Sequence, residues 1–254
     1  MKTLCMVPPV SIAAITASRG SDPSRMLTND PKEVWVDSLA GSAVTFNIDL
    51  GSPQSLDTVF LGFTNAADAA TWTVSSGVAG PTEQVWTSAA VFPSPYKIAA
   101  RPRHGFVQLA GAAMARYVRI TITQPAGSQP LYAGVVAVGA AFVPTWGREY
   151  GSGRTPIDTG SRERLPSGGF GISPGAIKSS WSWTMGDLLD DEVDTLFAMA
   201  MAFGQSYALL TIEDPDSTPG LAERIHWGVF DKLEAYERLA PGATKWAFTV
   251  EDWV

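Results

Sequence analysis

Hydrophobic and polar residues alternate in several short stretches of the first 143 residues, a spacing typical of β-strands, whose successive side chains point to opposite faces. The clearest stretches place Val44, Phe46, Ile48 and Leu50 on one face, and Val118, Ile120 and Ile122 on one face further along. More apolar strands are predicted at residues 56–63, 71–74, 106–109 and 132–142. Gly and Pro separate these stretches, and no segment keeps a helical period. The first half therefore predicts an antiparallel β-sandwich.

The hydrophobic spacing changes after residue 143. Residues 180–184 still alternate as a strand, but the next apolar positions are three and four apart: Val193, Leu196, Phe197, Ala200 and Met201. This is the stripe of a core-facing helix, which we expect at about residues 190–203. Acidic residues at 190–192 suit the positive end of its dipole, and Gly204 is a typical stop signal. Strands at 208–212, 225–230, 232–238 and 245–250 complete a second β module with one packed helix.

A segment rich in Gly and Pro, residues 144–175, separates the two modules and shows no periodicity. It carries four arginines: Arg148, Arg154, Arg162 and Arg164. Such a segment is either an interdomain tether or a loop that orders against a neighbouring subunit, with its arginines on acidic surface. The sequence thus predicts a sandwich at 1–143, a Gly/Arg-rich linker or extended loop at 144–175, and a β domain with one helix at 176–254.

The net charge of −7 is concentrated in the second half of the chain. Residues 1–143 contain nine Lys or Arg and eight Asp or Glu, whereas residues 144–254 contain nine and seventeen. An acidic surface binds nucleic acid poorly, because binding requires cations that neutralise phosphates. Cys5 is the only cysteine, which excludes an intrachain disulfide and a thiolate metal cluster. No apolar run approaches the ~20 residues of a membrane span, and we expect a soluble, unexported chain.

The residues that could carry chemistry do not form a catalytic or metal-binding pattern. Residues 171–175 match the G-x-S-x-G pattern of a nucleophile elbow, but the residue after the serine is Pro174, which has no N–H for an oxyanion hole. His104 and His226 are not at metal-ligand spacing. The sequence therefore predicts a protein that is not an enzyme and holds no metal or cofactor.

Three segments of the first half carry a family resemblance. Residues 17–23 form a small-residue loop that leads to Leu-Thr-Asn-Asp at 27–30 and then to Trp35; residues 46–51 read Phe-Asn-Ile-Asp-Leu-Gly; and residues 115–120 read Ala-Arg-Tyr-Val-Arg-Ile. In this order they resemble discoidin-like (galactose-binding-like) modules. The resemblance implies a jelly-roll sandwich whose tip loops bind glycans or lipids, sometimes with calcium, although the paired cysteines of extracellular members are absent.

A glycan-facing surface of such a module is expected on the loops around residues 22–37 and 97–104. Aromatic rings and planar polar groups suit sugar faces. The candidates are Trp35, Tyr96, Arg101 and Arg103. For Trp35 the alternative is a place in the hydrophobic core.

The combination of the two modules resembles tail-tip proteins of long-tailed bacteriophages. Asn65, in Phe-Thr-Asn at 63–65, fits the strand that follows the Asp-Leu-Gly turn in such proteins. Residues 181–253 resemble the tail-tube-like domain of tube, distal-tail and hub proteins, in which a sandwich carries one helix and subunits join their sheets into a ring. Distal-tail proteins usually place this ring domain first, whereas here it is last.

These resemblances imply a mainly β structural protein of a phage or phage-like tail tip. Its expected partners are copies of itself in a ring (a hexamer, with a trimer as runner-up), the tube, hub and tape-measure proteins, and a host-surface glycan. Its expected place is the virion, after synthesis in the host cytoplasm. The four arginines named above and the strands at 232–238 and 245–250 are the expected subunit contacts. The rival functions are a stand-alone carbohydrate-binding protein and a glycan hydrolase.

Overall fold

A computed structural model describes residues 2–86, 102–217, 219–240 and 242–254. The chain divides into two compact units. The first takes the residues up to Val143 together with Ile212–Ile225, and the second takes Pro144–Thr211 and His226–Val254.

The described residues of the first unit form nine strands. These are β1 Leu4–Val7, β2 Ala14–Ala17, β3 Trp35–Ala40, β4 Ala43–Thr64, β5 Thr71–Gly77, β6 Gln84–Trp86, β7 Arg103–Thr123, β8 Pro130–Ala133 and β9 Val135–Gly139. Strands β4 and β7 pair with each other along most of their length, with shifts of register between Asp49 and Gln54 and again further on. On the side of the shifts that contains Asp49, β4 also pairs with β2 and β7 also pairs with β5. On the other side, β4 pairs with β9. The two long strands therefore pass through both layers of the sandwich.

The predicted alternation produces the core of this sandwich. Val44, Phe46 and Ile48 of β4 are buried, as are Val118 and Ile120 of β7. They pack in one hydrophobic cluster with apolar residues from the second layer, such as those of β9. The mainly β fold class and the sandwich are confirmed.

The segment that returns to the first unit, residues 212–225, is tied to the start of the chain. The Asp214 N–H donates to the Thr3 carbonyl at 3.2 Å, and the Lys2 N–H donates to the Asp216 carboxylate at 2.8 Å. Within the segment, the Arg224 guanidinium donates to the carbonyls of Glu213 and Pro219 and fixes a loop that the sequence predicts only as a turn-rich stretch.

In the part of the second unit that the structure describes there are eight strands and the helix α1, Asp190–Phe203. The strands are β10 Gly153–Asp158, β11 Ser161–Arg164, β12 Phe170–Ser173, β13 Ile177–Leu188, β14 Leu209–Glu213, β15 Ile225–Leu233, β16 Glu237–Ala240 and β17 Ala243–Asp252. Its main sheet runs β14-β15-β17-β13-β10, with β16 also on β17. Because β17 is paired on both sides, residues 245–250, which were predicted to lie at a subunit contact, do not offer a free sheet edge for it.

Helix α1 confirms the predicted helix but not its buried face. Val193, Leu196 and Ala200 are buried as expected, whereas Phe197 and Met201 are exposed and Met199 takes a buried place. The expectation that Phe197 and Met201 face the core is therefore wrong. Residues 196–203 are apolar on every side of the helix, so spacing alone does not select the face that meets the sheet.

The start of α1 is held by the carboxylate of Glu192, which is buried. It accepts the N–H of Leu189 at 3.0 Å, which caps the helix from inside, and the N–H of Thr145 at 2.7 Å. One of the acidic residues predicted at the start of the helix, Glu192, therefore also holds Thr145 in the second unit by a hydrogen bond.

Replacing Leu196 by alanine is expected to lower the free energy of unfolding of the second unit by about 2–5 kcal/mol, the usual cost of a buried leucine. Replacing Phe197 by alanine should cost less than about 1 kcal/mol, because half of its surface is already in water. Urea unfolding followed by far-UV circular dichroism measures both. A larger loss for Phe197 than for Leu196 contradicts the observed helix face.

Residues 144–175 are not a linker without regular structure. They contain β10, β11 and β12, and β10 pairs antiparallel with β13 from Gly153↔Ser182 to Asp158↔Ile177. Each strand is short and largely exposed on both faces, so it has no apolar alternation. This is why the pattern of the sequence did not predict these strands.

Candidate functional site

The polar residues of the discoidin-like segments bind one another across strands. The Arg116 guanidinium donates two hydrogen bonds to the Asp49 carboxylate, at 2.8 and 2.9 Å, and Arg119 Nε donates to Asn47 Oδ1 at 2.8 Å. The register of β4 and β7 places Asn47 directly opposite Arg119, and Asp49 opposite Tyr117, the residue that follows Arg116. The segments at 46–51 and 115–120 therefore fasten two strands of the sandwich.

Lowering the pH is expected to weaken the ion pair between Asp49 and Arg116. The Arg116 hydrogen bonds and the Gly51 N–H lower the pKa of Asp49 to about 2, against about 3.9 in an unfolded chain. Because the folded pKa is the lower one, the stabilisation is complete above about pH 4 and is lost as the pH falls towards 2. Thermal melts between pH 5 and 2 should therefore fall less steeply for Asp49→Asn than for the wild type. Equal slopes would contradict an ionised Asp49 pair.

Arg19 and Asn65 are likewise engaged inside the first unit. Arg19 donates to Asp37 at 2.6 and 2.9 Å. Asn65 donates to the Pro130 carbonyl at 2.9 Å and accepts the Tyr132 N–H at 2.8 Å, which joins the end of β4 to β8. The signature residues thus hold the fold together through contacts within the first unit.

The residues predicted to face a glycan are not brought together on the described surface. Trp35 is fully buried and packs edge-on against Phe46, so a surface role for it is wrong. The Arg103 guanidinium pairs with Asp68 at 2.7 Å and donates to the Ala66 carbonyl. Tyr96 and Arg101 lie outside the described residues.

The described residues contain one serine–histidine–carboxylate cluster, and its geometry does not fit nucleophilic catalysis. Ser179 Oγ donates to Asp252 at 2.5 Å, and His226 Nδ1 lies 2.9 Å from the same carboxylate. A catalytic base would instead offer its second nitrogen to the serine. Here His226 Nε2 is buried, with no hydrogen-bond partner in the described part of the chain.

No group of three or more His, Cys, Asp or Glu side chains in the described ranges could hold a metal ion. None of the described helices is long and apolar enough to cross a membrane.

The most exposed feature of the second unit is a two-stranded β-hairpin, which we call the arm (residues 153–182). Its base is the β10–β13 ladder, and its distal half is the β11–β12 ladder, closed by a tight turn in which Leu165 N–H donates to the Gly169 carbonyl at 2.9 Å. Between the two halves, Gly160 and Gly175 approach so closely that a Cβ built on Gly175 would lie 2.1 Å from the Gly160 nitrogen. Every residue of β11 and β12 except Gly171 is exposed.

The two faces of the distal arm differ in chemistry. The register Arg162↔Ile172 and Arg164↔Phe170 places these four side chains on one face, while Ser161, Glu163, Gly171 and Ser173 occupy the other. The guanidinium of Arg162 lies 4.9 Å from the centre of the Phe170 ring, and that of Arg164 lies 6.0 Å from it. The first face is therefore both cationic and apolar, with Phe170 50% exposed and Ile172 71% exposed.

The four arginines predicted as subunit contacts lie at three places in the second unit. Arg162 and Arg164 lie on this distal face and Arg154 on β10 at the base, whereas the Arg148 guanidinium lies 5.9 Å from the Trp181 ring of its own unit. The sequence interpretation missed Phe170 and Ile172. The available signal was two apolar residues two apart, across a glycine-rich turn from two arginines two apart.

Comparisons with known proteins give likenesses of shape. No protein-family model matches the chain, and no curated protein does. A chitosan-binding module derived from a chitosanase/glucanase of Paenibacillus sp. IK-5 is 19% identical, with 53% of this chain and 99% of that chain covered and a TM-score of 0.40. The CBM32 of AlyQ in complex with 4,5-unsaturated mannuronic acid is 20% identical, over 52% and 97%, with a TM-score of 0.37.

A third similar structure is reduced XRCC1 bound to the DNA pol beta catalytic domain, which is 16% identical over 52% of this chain and 99% of that chain, with a TM-score of 0.42. That structure is a complex with a protein, whereas the first two are named for carbohydrates. At these identities and scores the likenesses describe backbone shape and assign no ligand to this chain.

Proposed function

We propose that this chain is a non-catalytic assembly protein of a phage or phage-like tail tip. In this proposal the second unit forms a ring of six copies, and the first unit displays a sandwich that contacts host-surface glycan. The observation that carries the assembly function is the cationic and apolar face of the arm. The tail-tip location rests on the resemblance of the two modules, in this combination, to tail-tip proteins.

The physical argument for assembly is that the distal half of the arm, β11 and β12, lacks the support that a hairpin needs. An isolated two-stranded hairpin is at best marginally stable in water and needs further strands or a packed surface. Among the described elements, β11 and β12 make no extensive contact except with each other. Exposed Phe170 and Ile172 supply the apolar area that a partner surface would cover.

Assembly is tested by measuring the mass of the purified protein with light scattering and imaging the particles by negative stain. The expected result is a closed ring of six, with three as the runner-up. Ile172→Asp should convert rings to monomers, whereas Leu39→Asp, which places the same charge at an exposed leucine of β3, should leave them intact. A wild-type monomer at micromolar concentration overturns the assembly function.

A second candidate function is glycan binding by the first unit without assembly. It is favoured by the three discoidin-like segments, whose residues make the cross-strand pairs described above. The loop between β2 and β3 then offers the exposed side chains of Arg25 and Lys32. Mannuronate oligomers are suitable first probes, because their carboxylates suit Arg25 and Lys32, and cationic chitosan oligomers provide the opposite charge for comparison.

The glycan test applies the folded full chain to an array that includes these probes. Binding that is lost in the double variant Arg25→Ala/Lys32→Ala, but kept in Lys232→Ala of the second unit, supports the loop as the glycan site. Binding by a monomer favours the second candidate alone. Rings with no binding above background support assembly and remove the glycan function.

A further inference from the structure

Helix α1 presents a second two-part surface. Asp190, Asp194, Phe197 and Met201 are spaced by four, three and four residues, so they lie along one stripe of the helix. All four are exposed. The stripe begins with two carboxylates and ends with two apolar side chains. It is not buried in its own unit, although the Phe197 ring lies 6.4 Å from that of Trp246 at its edge.

The spacing of this stripe matches that of the arm's cationic and apolar face. Directly opposite residues of an antiparallel pair, such as Arg164 and Phe170, lie about 5 Å apart across the hairpin. Asp194 and Phe197 are three residues apart, which is about 4.5 Å along a helix axis. An arm that crosses the helix can therefore set Arg164 against Asp194 and Phe170 against Phe197 at the same time.

We propose that the arm of one copy docks across the outer stripe of α1 on a second copy of this chain, with Arg164 paired with Asp194 and Phe170 packed on Phe197. This inference rests on the proposed assembly function and names the surface that receives the arm. The contact joins opposite charges and covers apolar area on both sides, which is the composition of a specific interface.

Two observations favour this mode over pairing of strand edges. The outer edge of the arm's base is β10, and Pro156 lies in the middle of it. Proline removes a backbone donor and blunts an edge strand against further pairing. The second observation is that Phe170 and Ile172 lie on one face of the distal arm. Pairing at a strand edge would leave that face uncovered.

A second copy also fits the arm better than nucleic acid does. The distal arm has only two arginines, Glu163 lies on its other face, and the half of the chain that contains it has nine basic against seventeen acidic residues. That balance disfavours a polyanion. The same acidic excess supplies the exposed carboxylates of Asp194 and Asp191, whereas Asp190 is paired with Arg238 of its own unit at 3.0 Å.

The contact can be tested with an engineered disulfide. Cys5 is the only native cysteine, and burial raises its pKa to about 12, so its thiol stays protonated and gives little background. In the double variant Phe170→Cys/Phe197→Cys, mild oxidation should produce a ladder of linked chains on a non-reducing gel. The matched control Glu163→Cys/Phe197→Cys uses the opposite face of the same hairpin, on the neighbouring strand β11, and should stay unlinked.

A charge exchange tests the same contact without removing its apolar part. Arg164→Glu alone and Asp194→Arg alone should each lower the fraction of ring at least tenfold, with circular dichroism spectra and melting temperatures unchanged. The double variant Arg164→Glu/Asp194→Arg should restore the ring, because the pair is reformed with its charges exchanged.

The outcomes separate this inference from the function on which it rests. Rings that form normally but show no linkage and no effect of either charge change overturn the arm-to-helix contact and leave assembly intact. A wild-type monomer removes both. A disulfide within one chain, seen as a monomer without free engineered thiols, overturns docking on a second copy.

Discussion

Replacing Trp35 by alanine is expected to lower the free energy of unfolding of the first unit by about 3–5 kcal/mol, the usual loss for a buried aromatic residue. The indole is fully buried, its ring centre lies 4.7 Å from that of Phe46, and Gly20 lies so close that a Cβ there would be 2.6 Å from the ring. The cavity left by alanine has rigid walls, because β3, β4 and the loop at Gly20 all contribute to it. Urea unfolding followed by circular dichroism measures the loss.

Two further variants check the cause of this loss. Trp146→Ala removes the same side chain from a position that is 72% exposed, and it should change stability by less than about 0.5 kcal/mol. Trp35→Phe should cost less than Trp35→Ala, because it keeps most of the ring. It also removes an indole N–H that has no acceptor among the described residues. Equal losses for Trp35→Ala and Trp146→Ala would place Trp35 outside the core.

Removing the carboxylate of Asp37 is expected to cost about 2–4 kcal/mol, near the lower end of the range for breaking a buried ion pair. Burial raises the pKa of Asp37, but the hydrogen bonds from Arg19 and the Leu39 N–H outweigh it and hold the pKa below its usual value. Asp37→Ala leaves the Arg19 guanidinium largely buried without its carboxylate. Since 22% of the Arg19 side chain is exposed, water recovers part of the loss.

The chain contains a matched control for this prediction. Asp49 and Arg116 form the same two-bond pair, at nearly the same distances, but their side chains are 31% and 37% exposed, against 2% and 22% for Asp37 and Arg19. Asp49→Ala should therefore have only a small effect at neutral pH. Unfolding in urea at pH 7 compares the two variants. A larger loss for Asp49 than for Asp37 would show that burial does not set the strength of these pairs.

Local patterns in the sequence predict much of this fold. The alternation in β4 and β7 identifies their buried faces, and the acidic start and terminal glycine of α1 bracket the helix. Each of these signals comes from residues within one element, where burial on one side forces a period. The same local signals do not specify which strand pairs with which, and the shift of register that bends β4 and β7 between two layers has no mark that we recognised.

The candidate sites were harder to predict, because their residues act across distances that the sequence does not encode. Trp35 and Arg103 have side chains that suit a sugar, yet one fills the core and the other holds a loop. The arginines of the arm were predicted as subunit contacts, which stays a prediction, but the apolar residues on the opposite strand, Phe170 and Ile172, became visible only once the hairpin register was known. Phe197 was predicted to lie in the core but is exposed, because the apolar spacing of the helix does not show which of its faces meets the sheet.

The return of residues 212–225 to the first unit has a consequence for synthesis. The hydrogen bonds of Thr3 and Lys2 to this segment cannot form until the ribosome has passed most of the second unit. At ordinary elongation rates of about 5–20 residues per second, residues 144–225 take roughly 4–16 s to synthesise. During that time Lys2 and Thr3 lack the segment to which they bind. A gene fragment that stops at residue 143 therefore encodes a first unit without residues 212–225 and without their hydrogen bonds to Lys2 and Thr3. The first unit should be expressed as part of the longer chain.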